Sequence, residues 1–360
     1  MKRILICGLT DTYGGMEAYV MEIFRHCDKS RVQFDFLFFE HQKVSYLDEI
    51  KMLGGGIIVL PLLKRHPFSY YKSLSRIFVK KKYHAVYYQC NHKLKYLRIL
   101  SSARKNGVPV RAVHSHNSKD ETISFFDRII EKYVGSGFDK EVNKCLACSY
   151  DAGKWMFGNR QFEVVHNPVD VNEFRYDPVK RNEIRDELGI TDELVIGTVG
   201  RLVAAKNSLF MTDVFREIIK RKNAVFIHIG DGDLKEKMVI EIKRKGLEDK
   251  YLLLGRKEKV SEYLSAMDVF ILPSVYEGFP IALIEAQSNG LKCVASDNID
   301  RNCNIIDDVR FVSLDRSPEE WADIIINSSD YIRTDRSYDI MDRGFDISSV
   351  VNDIYRIFDL

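Results

Sequence analysis

Short runs of β-branched and aromatic residues recur along this chain, and stretches with apolar positions three and four apart separate most of them. The first pattern fits buried strands and the second amphipathic helices. In the first half the strand patterns are Arg3–Gly8, Phe34–Phe39, Gly56–Pro61, Ala85–Gln89, Arg111–His114, Cys145–Cys148 and Phe162–His166. In the second half they are Leu194–Val199, Val225–Ile229, Tyr251–Leu254, Val269–Leu272, Cys293–Ala295 and Phe311–Leu314. Helical spacing stands out in Ala18–His26 and Glu236–Lys245. This alternation predicts an α/β protein whose parallel sheets carry helices on both faces. The pattern lapses in the polar, charged stretch Asp170–Asp192 and resumes at Leu194. We therefore expect two doubly wound, Rossmann-like domains, residues 1–170 and 193–340, with a linker at 171–192. Ligands of such sheets sit beyond the carboxyl ends of the strands, so a cleft between facing domains is the expected site.

Composition bounds this picture without changing it. A chain of 360 residues, 45% apolar and 29% charged, can bury two cores of ordinary size. No apolar run reaches the ~18–20 residues that span a bilayer. The opening MKRILICGLTD reads as a first strand rather than a signal peptide. Seven cysteines, an odd number, argue against a disulfide framework and for a reducing cytoplasm.

Charge does change it. The net charge is only +2, yet no acidic residue occurs between Glu49 and Asp120. Lys51, Lys64, Arg65, Lys72, Arg76, Lys80, Lys81, Lys82, Lys93, Lys95, Arg98, Arg104, Lys105, Arg111 and Lys119 all fall in that span. Phe68, Tyr70, Tyr71, Phe78, Tyr83 and Tyr96 are interleaved with them. The mixture suits peripheral contact with an anionic membrane surface, with a merely solvated basic face as the plain alternative. No nucleic-acid module accompanies it, so nucleic acid is not an expected partner.

The densest chemistry lies in Ser274–Ala286, SVYEGFPIALIEA. A strand, a Gly-Phe-Pro turn and a helix in that order expose backbone N–H groups at the helix N-terminus, here Gly278, Phe279, Pro280, Ile281 and Ala282 (proline supplying shape rather than a donor). Such a terminus holds anions. Glu277 stands on the loop beside it, and Glu285 about one turn into the helix. An anion cradle flanked by two carboxylates suits a sugar nucleotide, with the diphosphate at the helix and one carboxylate each for sugar and ribose. Two surface glutamates on an ordinary loop are the bland alternative. Arg201 and Lys206 follow the strand Leu194–Val199 and can clamp a diphosphate and neutralise a leaving group. Both loops must open at the same edge of one parallel sheet.

Other motifs are weaker. Gly230 and Gly232 let backbone approach a ligand, whereas Asp231 and Asp233 read as helix caps rather than metal ligands. Gly14-Gly15 precede a helix and either touch phosphate or sugar across the cleft or form a plain loop. They do not make GxGxxG, so a nicotinamide dinucleotide is not expected. His114 and His116 end a strand and either contact sugar hydroxyls or serve as hydrogen-bonded structural histidines. Cys145 and Cys148 match the redox spacing but lie in a strand pattern, where residues three apart face opposite sides.

Taken together, these residues resemble the retaining glycosyltransferases of family four, which have the GT-B fold. The resemblance rests on GGME (Gly14–Glu17), HSHN (His114–Asn117), CSYDAGKWMFG (Cys148–Gly158), HNPVD (His166–Asp170), Arg201 with Lys206, IGDGDL, LGR (Leu254–Arg256) and DVFILPSVYEGFPIALIEAQSNG (Asp268–Gly290). It covers essentially the whole chain and looks closest to the bacterial capsular and exopolysaccharide subgroup. The likeness implies that Glu285 holds the donor ribose, Glu277 meets the transferred sugar, and Arg201 and Lys206 bind the diphosphate. It puts Arg256 at the nucleobase and either His116 or His114 in the cleft. It also implies catalysis without a metal or other cofactor, a UDP-sugar donor and a lipid-linked or oligosaccharide acceptor at the inner membrane face. A terminal helix within 341–360 would cross back to the first domain. Asn167-Pro168-Val169-Asp170 departs from the family's Asn-Gly-Val-Asp, and the proline stiffens that turn. A sugar-nucleotide epimerase of the same fold and a non-catalytic nucleotide-sugar-binding subunit are the rival readings.

Overall fold

The computed structural model describes residues 1–11, 13–90, 97–117, 138, 140–277 and 279–360. Lys93, Lys95, Tyr96, Lys119 and Gly278, named above, lie outside the described residues. The chain divides into two compact units, one of Met1–Pro168 with Ile347–Leu360, the other of Val169–Asp346.

Among the described residues the first unit holds seven strands: β1 (Lys2–Cys7), β2 (Val32–Phe39), β3 (Gly56–Leu60), β4 (Ala85–Cys90), β5 (Val110–Ser115), β6 (Lys144–Ala147) and β7 (Glu163–Val164). They form one parallel sheet in the order β3-β2-β1-β4-β5-β6-β7. The chain leaves β1 toward β2 and β3, then returns to β4 on its other flank, so the order switches between β1 and β4. Ile4 and Ile6 of β1, Phe34 and Phe36 of β2 and Tyr19 and Phe24 of the helix Gly15–His26 are sealed from solvent. Val350, Ile354 and Phe358, from the helix Ile347–Ile357 and the residue after it, pack into the same core.

The helix Pro67–Lys81 starts with proline at its first position, where the missing N–H costs nothing. Its inner face is Tyr70, Leu74 and Phe78, four residues apart. Near its end Lys81 reaches inward to buried Asp35, which also accepts from Tyr83 at 2.6 Å and pairs with Arg3.

The second unit holds β8 (Leu194–Val199), β9 (Ala224–Ile229), β10 (Tyr251–Gly255), β11 (Val269–Leu272), β12 (Lys292–Ser296) and β13 (Val309–Val312). Their parallel order is β10-β9-β8-β11-β12-β13, switching between β8 and β11. Phe215, Phe226 and Trp321 fill the core. The strand expected at Phe311–Leu314 lies two residues earlier. Cys293 to Ser296 pair with Val309 to Val312, and the Ser313 hydroxyl then accepts from Asp315 N, which starts a turn. Residues 171–192, read from sequence as a linker, carry the helix Pro178–Glu187, capped by the Asp177 side chain. Arg181 and Arg185 from that helix meet Asp268 at 2.6 and 2.7 Å, tying it to the base of β11. Polar composition misled here, because the helix attaches through its charges. Among the described residues no helix is long and apolar enough to cross a membrane.

Candidate functional site

In a doubly wound sheet the strands on either side of the switch send their following loops apart, opening a crevice at their carboxyl ends. In the second unit that crevice lies between the loops after β8 and β11, the two loops singled out above. Val269 and Phe270 of β11 lie beside Ile196 and Gly197 of β8, so both loops open at one edge. Val275 N donates to Ala205 O at 2.8 Å across the gap. The Lys206 ammonium then pairs with the Glu277 carboxylate, which also accepts from the Ser274 hydroxyl at 2.8 Å. Both paired side chains are largely withdrawn from solvent, at 20% and 14% exposure.

Arg201 sits on the same loop as Lys206 but differs from it. Its side chain is exposed and has no ion pair among the described residues. The backbone around it is fixed from the next loop. Gly200 N donates to Ile229 O, Leu202 N to Asp231 O, and Leu234 N to Leu202 O. Gly230 has φ +139°, and a Cβ there would lie 1.9 Å from Gly200 O, so only glycine fits. Arg256, after β10, is exposed. The Gly232 N–H, then Lys235 and Arg256, hold the Asp231 carboxyl below its usual range. Asp231 thus anchors its own turn. Among the described residues no cluster of three or more His, Cys, Asp or Glu is placed to hold a metal ion.

The helix Ile281–Ser288 begins at Pro280, with no side chain capping it. Leu283 N donates to Pro280 O at 3.1 Å, and among the described residues no side chain accepts from Ile281 N or Ala282 N. Glu285 is half-buried one turn further on. The structure thus gathers Arg201, Lys206, Gly230, Glu277, Phe279, Pro280, Ile281, Ala282 and Glu285 on the carboxyl-edge loops of one sheet, or in the first turns after them.

Gly14, Gly15, His114 and His116 belong to the other unit. Gly14 caps the helix Gly15–His26 with extended backbone and no side-chain cap bond. Glu17, buried in that helix's first turn, accepts from Thr10 N at 2.9 Å and Thr10 Oγ1 at 2.8 Å and so fixes the loop after β1. His114 is fully buried, with Nδ1 2.6 Å from the Tyr87 hydroxyl, which lies 2.8 Å from the Tyr19 hydroxyl. Burial, and secondarily His116, hold its pKa well below the usual histidine range. The His116 ring lies against it, tilted by 31° with 4.2 Å between centroids. Its Nε2 donates to Gln89 Oε1 at 2.7 Å, and burial pushes its pKa down to about 3. Both imidazoles are therefore neutral, and of the two only His116 keeps appreciable surface. Cys148 is buried and Cys145 half-buried, both as free thiols.

Ser274, Gln89 and Tyr87 support these groups and carried no flag in the sequence reading. Gln89 offered a signal: it is a lone amide in a strand otherwise buried and apolar or aromatic, AVYYQC.

Two parallel, doubly wound α/β sheets, the second with Arg201, Lys206 and Glu277 on the loops at its switch point, have the architecture of the GT-B fold. Comparison with known proteins makes this specific. The family model for glycosyl transferases group 1 matches residues 180–329. EpsF of Bacillus subtilis (strain 168), whose name places it among glycosyltransferases, is 30% identical over 374 aligned residues, covering 100% of this chain and 97% of that one. The chain belongs to the glycosyl transferases group 1 family. A UDP-Gal:α-D-GlcNAc-diphosphoundecaprenol α-1,3-galactosyltransferase of Escherichia coli is 29% identical, covering 64% of this chain and 62% of its own. Among solved structures, Anabaena HepE in complex with UDP superimposes with a TM-score of 0.81 at 17% identity, covering all of both chains.

Proposed function

We propose that this glycosyltransferase moves a hexose or N-acetylhexosamine from a UDP-sugar to a lipid-linked glycan, with retention of configuration, in surface polysaccharide synthesis. The observation that carries the reading is the switch point of the second sheet. There Arg201 and Lys206 lie on the loop after β8, and Glu277, paired with Lys206, lies on the loop after β11, just before a helix whose N-cap residue makes no side-chain bond. That combination suits a diphosphate bearing a hydroxylated group on its far side. The E. coli relative, named for a UDP-Gal donor and a diphosphoundecaprenol-linked acceptor, lends the substrate classes support.

In this reading Lys206, Arg201 and the N–H groups of Ile281 and Ala282 hold the diphosphate and take up its charge as the sugar leaves. Glu277 binds the transferred sugar, Glu285 the ribose hydroxyls, and Arg256 lies at the base. Phe279 and Pro280 shape the cradle. The side-chain cations supply what a divalent metal would otherwise provide, and the acceptor attacks from the leaving group's own face. The enzyme works peripherally at the inner face of the plasma membrane.

The test has two stages. Thermal shift with UDP-glucose, UDP-galactose and their N-acetylamino counterparts should show a preferred donor, since a ligand of the folded state raises apparent stability. Labelled donor should then enter the lipid fraction of membranes in EDTA, with the α-anomer in the product. A chain that no UDP-sugar stabilises ends the reading.

A further inference from the structure

One surface in the first unit is built against the ordinary rules for a helix on a soluble protein. The helix Pro67–Lys81 buries Tyr70, Leu74 and Phe78, yet its opposite face is not simply polar. Phe68 is 83% exposed, Tyr71 50% and Val79 65%. Phe68 and Val79, eleven residues apart, lie one above the other on the helix, with Lys72 and Arg76 beside them at the intervening turns. The stripe runs the length of a helix ~22 Å long.

Charge on this helix is equally unusual. Lys64 and Arg65 lie just before its start, no acidic residue occupies its first turn, and the residue before it, His66, makes no capping bond. Cations at that end oppose the helix dipole, which favours negative charge there. Among the described residues none of Lys64, Arg65, Lys72, Arg76, Lys80 or Lys82 has an ion-pair partner. Elsewhere on the surface such partners are common, as in Lys180 with Glu183 and Arg244 with Glu241. Lys81 is the exception. It lies on the inner side and pairs with Asp35, so it is a structural lysine.

We propose that the outer face of Pro67–Lys81 is the surface by which this protein lies on an anionic lipid bilayer. Phe68, Tyr71 and Val79 enter the headgroup boundary, and Lys72, Arg76 and Lys80 meet the lipid phosphates. An amphipathic helix lying in the interface plane combines such elements, here an apolar line through Phe68 and Val79 and a row of cations along one side of it. A nucleic-acid surface would use the cations and the aromatic rings but has no use for an exposed valine between them. The inference deepens the membrane placement proposed above and does not depend on the donor.

Co-sedimentation of the full-length protein with vesicles tests it. Phosphatidylcholine vesicles containing about a third phosphatidylglycerol should bind, phosphatidylcholine alone should not, and salt should weaken the binding. Lys72→Glu with Arg76→Glu should reduce affinity by at least about fivefold for each residue changed. Phe68→Ser with Val79→Ser should reduce it at low and high salt alike. The same pair of changes at Val239 and Ile240, exposed on a helix of the second unit, should leave it intact. A Phe68→Trp variant should shift its emission to the blue on binding. UDP affinity and melting temperature, measured on each variant, show that it is folded and separate this surface from the donor reading. Retained binding in both double variants, absence of binding to any vesicle, or binding to RNA with none to vesicles would each overturn the proposal.

Discussion

Replacing Glu277 with glutamine should tighten binding of UDP while slowing transfer from a UDP-sugar. Before donor arrives, the Lys206 charge is already compensated by Glu277, and both side chains are mostly removed from water. A diphosphate that recruits Lys206 must share it with a carboxylate of its own sign. At ~6 Å and an effective dielectric of ~40, repulsion between that carboxylate and one phosphate charge is about 1.4 kcal/mol, or about tenfold in affinity. Glutamine keeps an oxygen for the Ser274 hydroxyl and removes the charge, so most of this repulsion should disappear. UDP lacks the transferred sugar and loses no contact at Glu277 in exchange. The UDP-sugar loses its proposed contact at Glu277, so kcat should fall even where KM improves. Calorimetry with UDP on wild type and Glu277→Gln reads the first effect, and steady-state transfer reads the second. Unchanged or weaker UDP binding by a folded Glu277→Gln protein would refute the idea that this ion pair competes with the diphosphate.

Three further outcomes follow from the geometry. Gly230→Ala should cost about 3 kcal/mol in urea unfolding, because its Cβ would drive into Gly200 O at a positive φ. It should also weaken UDP binding, since the loop it displaces bears Arg201. Asp268→Asn should destabilise the second unit by about 3 kcal/mol, leaving Arg181 and Arg185 without their carboxylate; denaturant midpoints check it. His228 is buried and neutral, its pKa pushed down to about 3 from an ordinary value near 6.5. Below pH 6.5 the unfolded chain takes up a proton that the folded chain refuses, so stability is lost as pH falls, by up to ~1.4 kcal/mol per pH unit. His228→Gln should flatten that slope by one proton in urea midpoints measured from pH 7 to pH 5.

The parts of this protein that were legible in its sequence are those written in local grammar. Strand runs such as LVIGTV and VFIL are buried on both faces, so they read as unbroken apolar words. The turn after β11 was legible for the same reason, since strand, Gly-Phe-Pro and helix follow one another within a dozen residues. What the sequence concealed was partnership across long separations. Lys206 and Glu277 are 71 residues apart, and each was assigned a role without the other; only the β8–β11 pairing joins them. Arg181, Arg185 and Asp268 made the supposed linker a docked helix through contacts more than 80 residues distant. The acid-free span shows the limit most clearly. Its composition signalled an anionic partner but treated every lysine as equivalent. Burial and pairing then sort them. Lys81 is spent on Asp35, and Arg104 and Arg111 are spent on Glu141 and its backbone, whereas Lys72, Arg76 and Lys80 have no ion-pair partner among the described residues. A charge count therefore locates the region of contact, and only the fold says which charges are available to make it.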